Sequence, residues 1–150
     1  MSFELSQRSL DRLDGVEDSL VVVVKRAIQL TKVDFGVSEG RRSVARQTEL
    51  VARGASKTMN SKHIDGLAVD LVAYISGRVS WELNLYDDIA DAMAASAREY
   101  GVTIRWGGAW HVDDIGKWEG KMEDAMTTYI DLRRSQGKRP FIDGPHFELM

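Results

Sequence analysis

The stretch SKHIDGLAVD at residues 61 to 70 continues into LVAY, so that Leu67 to Tyr74 forms one apolar strand with a carboxylate, Asp70, at its centre. A buried carboxylate left unpaired costs on the order of several kcal/mol, so any fold that buries this strand must bring Asp70 a cation. A salt-bridging arginine would serve, and so would a metal ion.

Two other polar groups bear on that choice. His63 precedes Asp70 and is joined to it by a bend at Gly66, while Asp143-Gly144-Pro145-His146-Phe147-Glu148 stands ahead of a short strand-like ending. Two imidazoles and one carboxylate make a common catalytic zinc shell with a fourth position left for water. No other pair among the three histidines offers an equally good site. The chain has no cysteine, which excludes disulfides, thiolate metal sites and cysteine nucleophiles together, so a metal would have to be held by His and carboxylate. The His-Glu-x-x-His helix signature of many zinc proteases is absent. As a bare pattern the spacing leaves both partners of Asp70 open.

With 150 residues and 43% hydrophobic content, a single domain spanning 1–150 is expected. The longest apolar run, LVVVV, is followed at once by Lys25-Arg26, far short of the roughly 18 to 20 residues of a membrane span. MSFELSQRSLDRLDG has no basic segment followed by an apolar one, so synthesis in a cytoplasm without a secretory signal is expected. A net charge of −3 argues against a nucleic-acid partner. On composition alone, basic pairs such as Arg41-Arg42 and Arg133-Arg134 read as solvated faces.

Apolar spacing predicts helices over 6–14, 18–30 (capped at Asp18-Ser19), 43–54, 85–100 and 119–135. It predicts strands over 35–38, 67–74, a return RVSW past a Ser76-Gly77 turn, 102–106 and 146–149. ASKTMNSKH, polar and without period, reads as loop. There is no regular βαβ alternation, so the class is α+β, a small and mostly antiparallel sheet flanked by helices.

Four stretches together resemble one family. Ser61 to Asp70 follows S-x-H-x-x-G-x-A-x-D, and Asp143 to Glu148 follows D-G-x-H-x-E. Glu39-Gly40-Arg41-Arg42-Ser43 with Gln47 resembles a G-x-R-S/T segment with a downstream Gln, and Arg105 to Trp110 resembles R-W-G-G-x-W. The joint pattern, in this order over about residues 20–150, resembles the zinc metallopeptidases of family M15. These include D-alanyl-D-alanine carboxypeptidases and dipeptidases and the bacteriophage L-alanyl-D-glutamate endopeptidases that act as endolysins. The compact length points to the phage branch.

The resemblance implies the zinc peptidase fold shared with Hedgehog-type and D-Ala-D-Ala peptidase relatives. It implies one zinc ion held by His63, Asp70 and His146, with Asp143 as acid and base and Arg42 binding substrate or stabilising developing charge. Gln47 belongs to the supporting residues, and Glu148, on the same strand face as His146, orients that ligand. Ser61 stands as a substrate-side loop hydroxyl rather than a nucleophile, and Trp106 and Trp110 read as substrate-side residues lining the cleft or, alternatively, as core or rim packing. The implied activity is cleavage of the L-alanyl-D-glutamate bond of peptidoglycan stem peptides during host lysis. A D-alanyl-D-alanine carboxypeptidase is the nearest rival, and a non-catalytic wall-binding domain of the same fold is a third reading that the retained Asp143 opposes. A monomer without membrane insertion is expected, made in the host cytoplasm and reaching the wall once the membrane is permeabilised.

The remaining expectations are plainer. His111 reads as a solvated loop histidine, Trp81 and Trp118 as packing residues, and Arg41 as an exposed neighbour of Arg42. Asp113-Asp114 with Glu119, Glu123 and Asp124 reads as a solvated acidic face. The charged segment 111–140 departs from the shorter phage enzymes and leaves one wall of the cleft undefined.

Overall fold

The computed structural model describes residues 2–56, 59 and 61–150. In chain order its elements are α1 (Gln7–Arg12), α2 (Asp18–Leu30), β1 (Asp34–Glu39), α3 (Val44–Ala52), β2 (Ala68–Ile75), β3 (Arg78–Ser80), α4 (Leu83–Tyr100), β4 (Ile104–Trp106), a 3₁₀ turn (Ile115–Lys117), α5 (Met122–Ser135) and β5 (His146–Leu149). Every expected helix and strand is present. Part of the expected loop, at residues 57, 58 and 60, lies outside the described residues.

The differences are local and have physical causes. Glu17, not Asp18, is the N-cap residue of α2, which leaves Asp18 in the first turn, where its charge suits the positive end of the helix. Helix α5 begins at Met122, just after Gly120 turns the chain at φ +117°; further back the 3₁₀ turn is capped by Asp114 through a hydrogen bond from the Gly116 amide at 3.0 Å. Ser43 caps α3 as expected, accepting from the Arg46 amide at 3.0 Å.

The sheet runs β1-β2-β5-β4, with β3 as a hairpin partner of β2. All paired neighbours are antiparallel. On one edge β2 pairs with β1 throughout, and on the other it pairs first with β5 and then with β3. Strand alternation then sorts the side chains into two faces. Val69, Phe147 and Trp106 form one cross-strand row, and all three are fully buried with Leu20, Val23, Ile89 and Met93 of α2 and α4 in the same core. Ser96 of α4 ties these helices together by donating to the Val23 carbonyl at 2.7 Å. The opposite face carries Asp70, His146, Glu148 and Arg105. One face of the sheet makes the core, and the other presents the polar groups.

Two tryptophan expectations fail here. Trp106 is wholly buried, its Nε1–H donating to the Gly144 carbonyl at 2.7 Å, so it faces the core and not a cleft. Trp81 is 66% exposed, stacked on Tyr86 rather than buried in packing. It directly follows β3, whose three residues pair only with β2, so among the described residues no further strand extends the sheet over it.

Candidate active site

Asp70 occupies the middle of a cross-strand row, with Glu39 of β1 and His146 of β5 as its register partners. An irregularity in β1 between Val37 and Glu39 brings Glu39 into that row. Gly66 adopts φ +72°, a left-handed turn that L side chains resist. The Gly66 carbonyl accepts from the Glu17 amide at 2.9 Å, so the turn carrying His63 is tied to the start of α2.

The imidazole of His63 is buried, and its Nδ1 lies 2.8 Å from the Gly40 carbonyl. A carbonyl can only accept, so Nδ1 carries the proton and Nε2 presents a lone pair. That Nε2 is shielded from solvent and makes no hydrogen bond, yet it stands 3.3 Å from Oδ1 of Asp70. His146 approaches the same Oδ1 with Nδ1 at 3.2 Å, and its Nε2 meets Oε1 of Glu148 at 2.8 Å. One ligand atom from each of His63, Asp70 and His146 lies within 4.8 Å of the others. A buried lone pair without a donor, converging with a carboxylate and a second imidazole, fits a divalent metal ion.

The second partner foreseen for Asp70 is present too. Arg42 is buried, and its Nη2 reaches Oδ2 of Asp70 at 3.5 Å while bonding Oε2 of Glu39 at 2.6 Å. Its Nη1 donates to Oε1 of Gln47 at 2.8 Å. Asp70 therefore offers one oxygen to the histidine pair and the other to an arginine. Arg41 is exposed, as expected.

These groups set one another's protonation. Burial opposes ionisation of Asp70, but the hydrogen bond with His146 at 3.2 Å and the closeness of both imidazoles outweigh it and hold the carboxyl well below the ordinary range. Burial likewise disfavours charge on His146, yet bonds to Asp70 and Glu148 raise it to about 9. Glu148 is lowered to about 2, its burial overcome by His146 and Arg105. Asp143 moves upward, through burial and the nearby charge of Asp70.

Asp143 is placed by backbone. Its amide donates to the Gly107 carbonyl at 2.8 Å, and the Gly107 amide donates to the His146 carbonyl at 2.9 Å. A Cβ on Gly107 would sit 2.2 Å from the Asp143 carbonyl oxygen, so only glycine allows this approach. Asp143, Ser61 and Trp110 line the same cleft, about 620 Å³ in volume, as His63, Asp70 and His146. Ser61 Oγ accepts from the His63 amide at 3.2 Å.

A family model described as phage L-alanyl-D-glutamate peptidase matches residues 1–150. The chain belongs to that family. It is 30% identical over 154 residues to the L-alanyl-D-glutamate peptidase of Escherichia phage T5, covering all of both chains. Its structure matches the crystal structure of the Serratia marcescens L-Ala D-Glu endopeptidase ChiX with a TM-score of 0.73 and 38% identity, over 99% of this chain and 91% of that one.

In this member of the phage peptidase family, three charged residues of the cleft, Glu39, Lys62 and Arg105, were not among the expected site residues. Glu39 holds Arg42, and Lys62 and Arg105 both reach Glu148. Strand alternation could have found Arg105, since it neighbours the inward Trp106 and must face the other way. His111 departs from its expected solvated state. Both ring nitrogens are buried without hydrogen-bond partners, the ring stacks on Tyr129, and burial lowers its pKa. From the segment 111–140 no residue lines the cleft; its helix α5 packs on α4 instead. Trp110 and Phe141, flanking that segment, stack at 6.3 Å on the cleft wall.

Proposed function

We propose that this protein is a zinc endopeptidase that hydrolyses the L-alanyl-D-glutamate bond in the stem peptides of bacterial peptidoglycan, and that a bacteriophage uses it to open its host's wall. The observation that carries the reading is the convergence of His63 Nε2, Asp70 Oδ1 and His146 Nδ1 beside Asp143, in a chain that belongs to the phage L-alanyl-D-glutamate peptidase family. A mixed nitrogen and oxygen donor set without thiolate suits zinc. Bound there, zinc would supply Lewis-acid activation of water and of the scissile carbonyl.

The chain's own groups carry the rest. Asp143, whose burial and acidic neighbour strengthen its affinity for a proton, accepts one from the attacking water and passes it to the leaving D-glutamyl nitrogen. Such acid–base help is worth roughly 10² to 10⁴ in rate. Arg42, fixed by Gln47 and Glu39, sets a positive charge where negative charge builds on the carbonyl oxygen. Glu148 holds the His146 ring so that Nδ1 faces the metal position. Trp110, tilted against His146 with ring centroids 5.5 Å apart, gives the substrate an apolar wall.

We place synthesis in the host cytoplasm and action at the wall after the inner membrane is permeabilised; among the described residues no helix is long and apolar enough to cross a membrane. The deciding experiment is mass spectrometry of purified peptidoglycan digested with the zinc-loaded protein. New ends at L-alanine and at D-glutamate, abolished by a chelator, are expected. Loss of terminal D-alanine alone would replace this reading with a carboxypeptidase, and wall binding without peptide release would remove catalysis.

A further inference from the structure

We infer that Lys62 and Arg105 form a carboxylate-binding subsite for the leaving side of the substrate, a reading that rests on the endopeptidase activity proposed above. Both cations converge on a single buried anion. Oε2 of Glu148 lies 2.9 Å from Nη2 of Arg105 and 3.3 Å from Nζ of Lys62, while its Oε1 is taken by Nε2 of His146. Two positive charges against one negative charge leave this wall with one cationic charge unbalanced, a single imidazole away from the metal position.

Arg42 is a poorer candidate for the same task. It is 8% exposed, and its guanidinium is held by Glu39 at 2.6 Å, Gln47 at 2.8 Å and Asp70 at 3.5 Å, beside the metal position and not on the leaving side. By contrast the side chains of Arg105 and Lys62 keep 29% and 34% of their surface open, and both line the cleft. The Arg105 guanidinium lies over the Trp110 ring, 5.2 Å from its centroid, and bonds Glu148, so it is held against the cleft wall with less left to order on binding. Its Nε is buried and has no hydrogen-bond partner.

The chemistry of the substrate supplies the missing anion. A D-glutamyl residue has two carboxyl groups, and whichever continues the stem peptide, the other is free and only a few bonds from the scissile nitrogen. An ion pair there fixes the leaving residue and neutralises the unbalanced charge. Replacing that carboxylate by a carboxamide keeps the shape and removes the charge.

The test compares two soluble peptides containing the L-alanyl-D-glutamyl bond, one with the glutamyl carboxylate free and one with it as carboxamide. Zinc-loaded wild type is expected to favour the free acid by at least about tenfold in kcat/KM, the factor that 1.4 kcal/mol represents. Arg105→Gln and Lys62→Met should each bring that ratio toward one while bound zinc stays at wild-type level. Lys62, the more exposed of the two, keeps the test open should Arg105→Gln not fold. Equal cleavage of both peptides by wild type overturns the subsite while leaving the endopeptidase standing. So does a ratio unchanged in both variants, with both rates falling together, because that is the mark of a purely structural role. Cleavage of neither peptide, with terminal D-alanine released from peptidoglycan, overturns the underlying activity and this inference with it.

Discussion

His146 and Glu148, two residues apart on β5, meet through Nε2 and Oε1 at 2.8 Å. The contact decides which nitrogen of His146 is left for a metal: Glu148 takes the Nε2–H, and Nδ1 is left facing Asp70 at 3.2 Å, the oxygen with which it would share the ion. Glu148→Ala is therefore expected to weaken zinc binding about 10- to 100-fold, the usual cost of losing such a partner. Competition with a chelator of known affinity measures it. Activity should return at saturating zinc, and an unchanged affinity would show that the ring is oriented by something else.

Metal binding and proton transfer are assigned to different residues, so they should separate on substitution. Asp143→Asn is expected to keep its zinc and lose roughly 10² to 10⁴ in kcat. His63→Ala should lose both, since it removes a buried nitrogen with no other partner. Metal content by elemental analysis beside a hydrolysis assay checks the pair. Two variants alike in zinc and in rate would contradict the division of roles.

Much of this architecture was legible because it depends on period and on local punctuation. Asp70 announced a cation by interrupting an apolar strand, and the fold supplies Arg42 on one oxygen and two imidazoles on the other. What the sequence could not convey was orientation across the sheet. Trp106 and Trp110 share one motif, yet the first, set by the register of β4 against β5, enters the core, and the second, in the turn beyond β4, lines the cleft. His111 was misread because polar flanks suggest solvent, while the burial of its ring depends on α5 folding back to place Tyr129 against it. Long-range pairing of this kind leaves no trace in a local window.

Gly107 offers a test of how strictly Asp143 must be held. A methyl group there would meet the Asp143 carbonyl oxygen at 2.2 Å and its Cβ at 3.0 Å, so the two strands' ends must part. Gly107→Ala is expected to lose at least about tenfold in kcat and about 1–3 kcal/mol of stability, as overpacked sites do. Of the proposed zinc ligands, His63 and Asp70 lie on other segments and only His146 is tied to Gly107, through its backbone carbonyl, so bound zinc should fall less than kcat. Steady-state kinetics with denaturant unfolding decides it, and wild-type kcat would show that the approach carries no catalytic weight.

Asp87 on α4 is 6% exposed, and its pKa is raised to about 6 by burial and by the charges of Asp88, Glu123 and Asp91. Asp91 is itself committed, accepting the Met122 amide at 2.7 Å at the start of α5. In the unfolded chain Asp87 titrates near 3.8, so between there and about 6 the unfolded state has released a proton that the folded state still holds. Stability from this group is therefore full below about pH 4, is lost as pH rises to about 6, and stays lost above. Asp87→Asn keeps the shape and removes the charge, so at pH 7 the variant should exceed wild type by about 3 kcal/mol, the order of magnitude that a carboxyl moved from 3.8 to about 6 represents. The gap should close below pH 4. Urea unfolding of both proteins at pH 7 and pH 4 measures the difference, and a variant less stable at pH 7, or a gap that ignores pH, would mean that Asp87 is compensated in the folded protein.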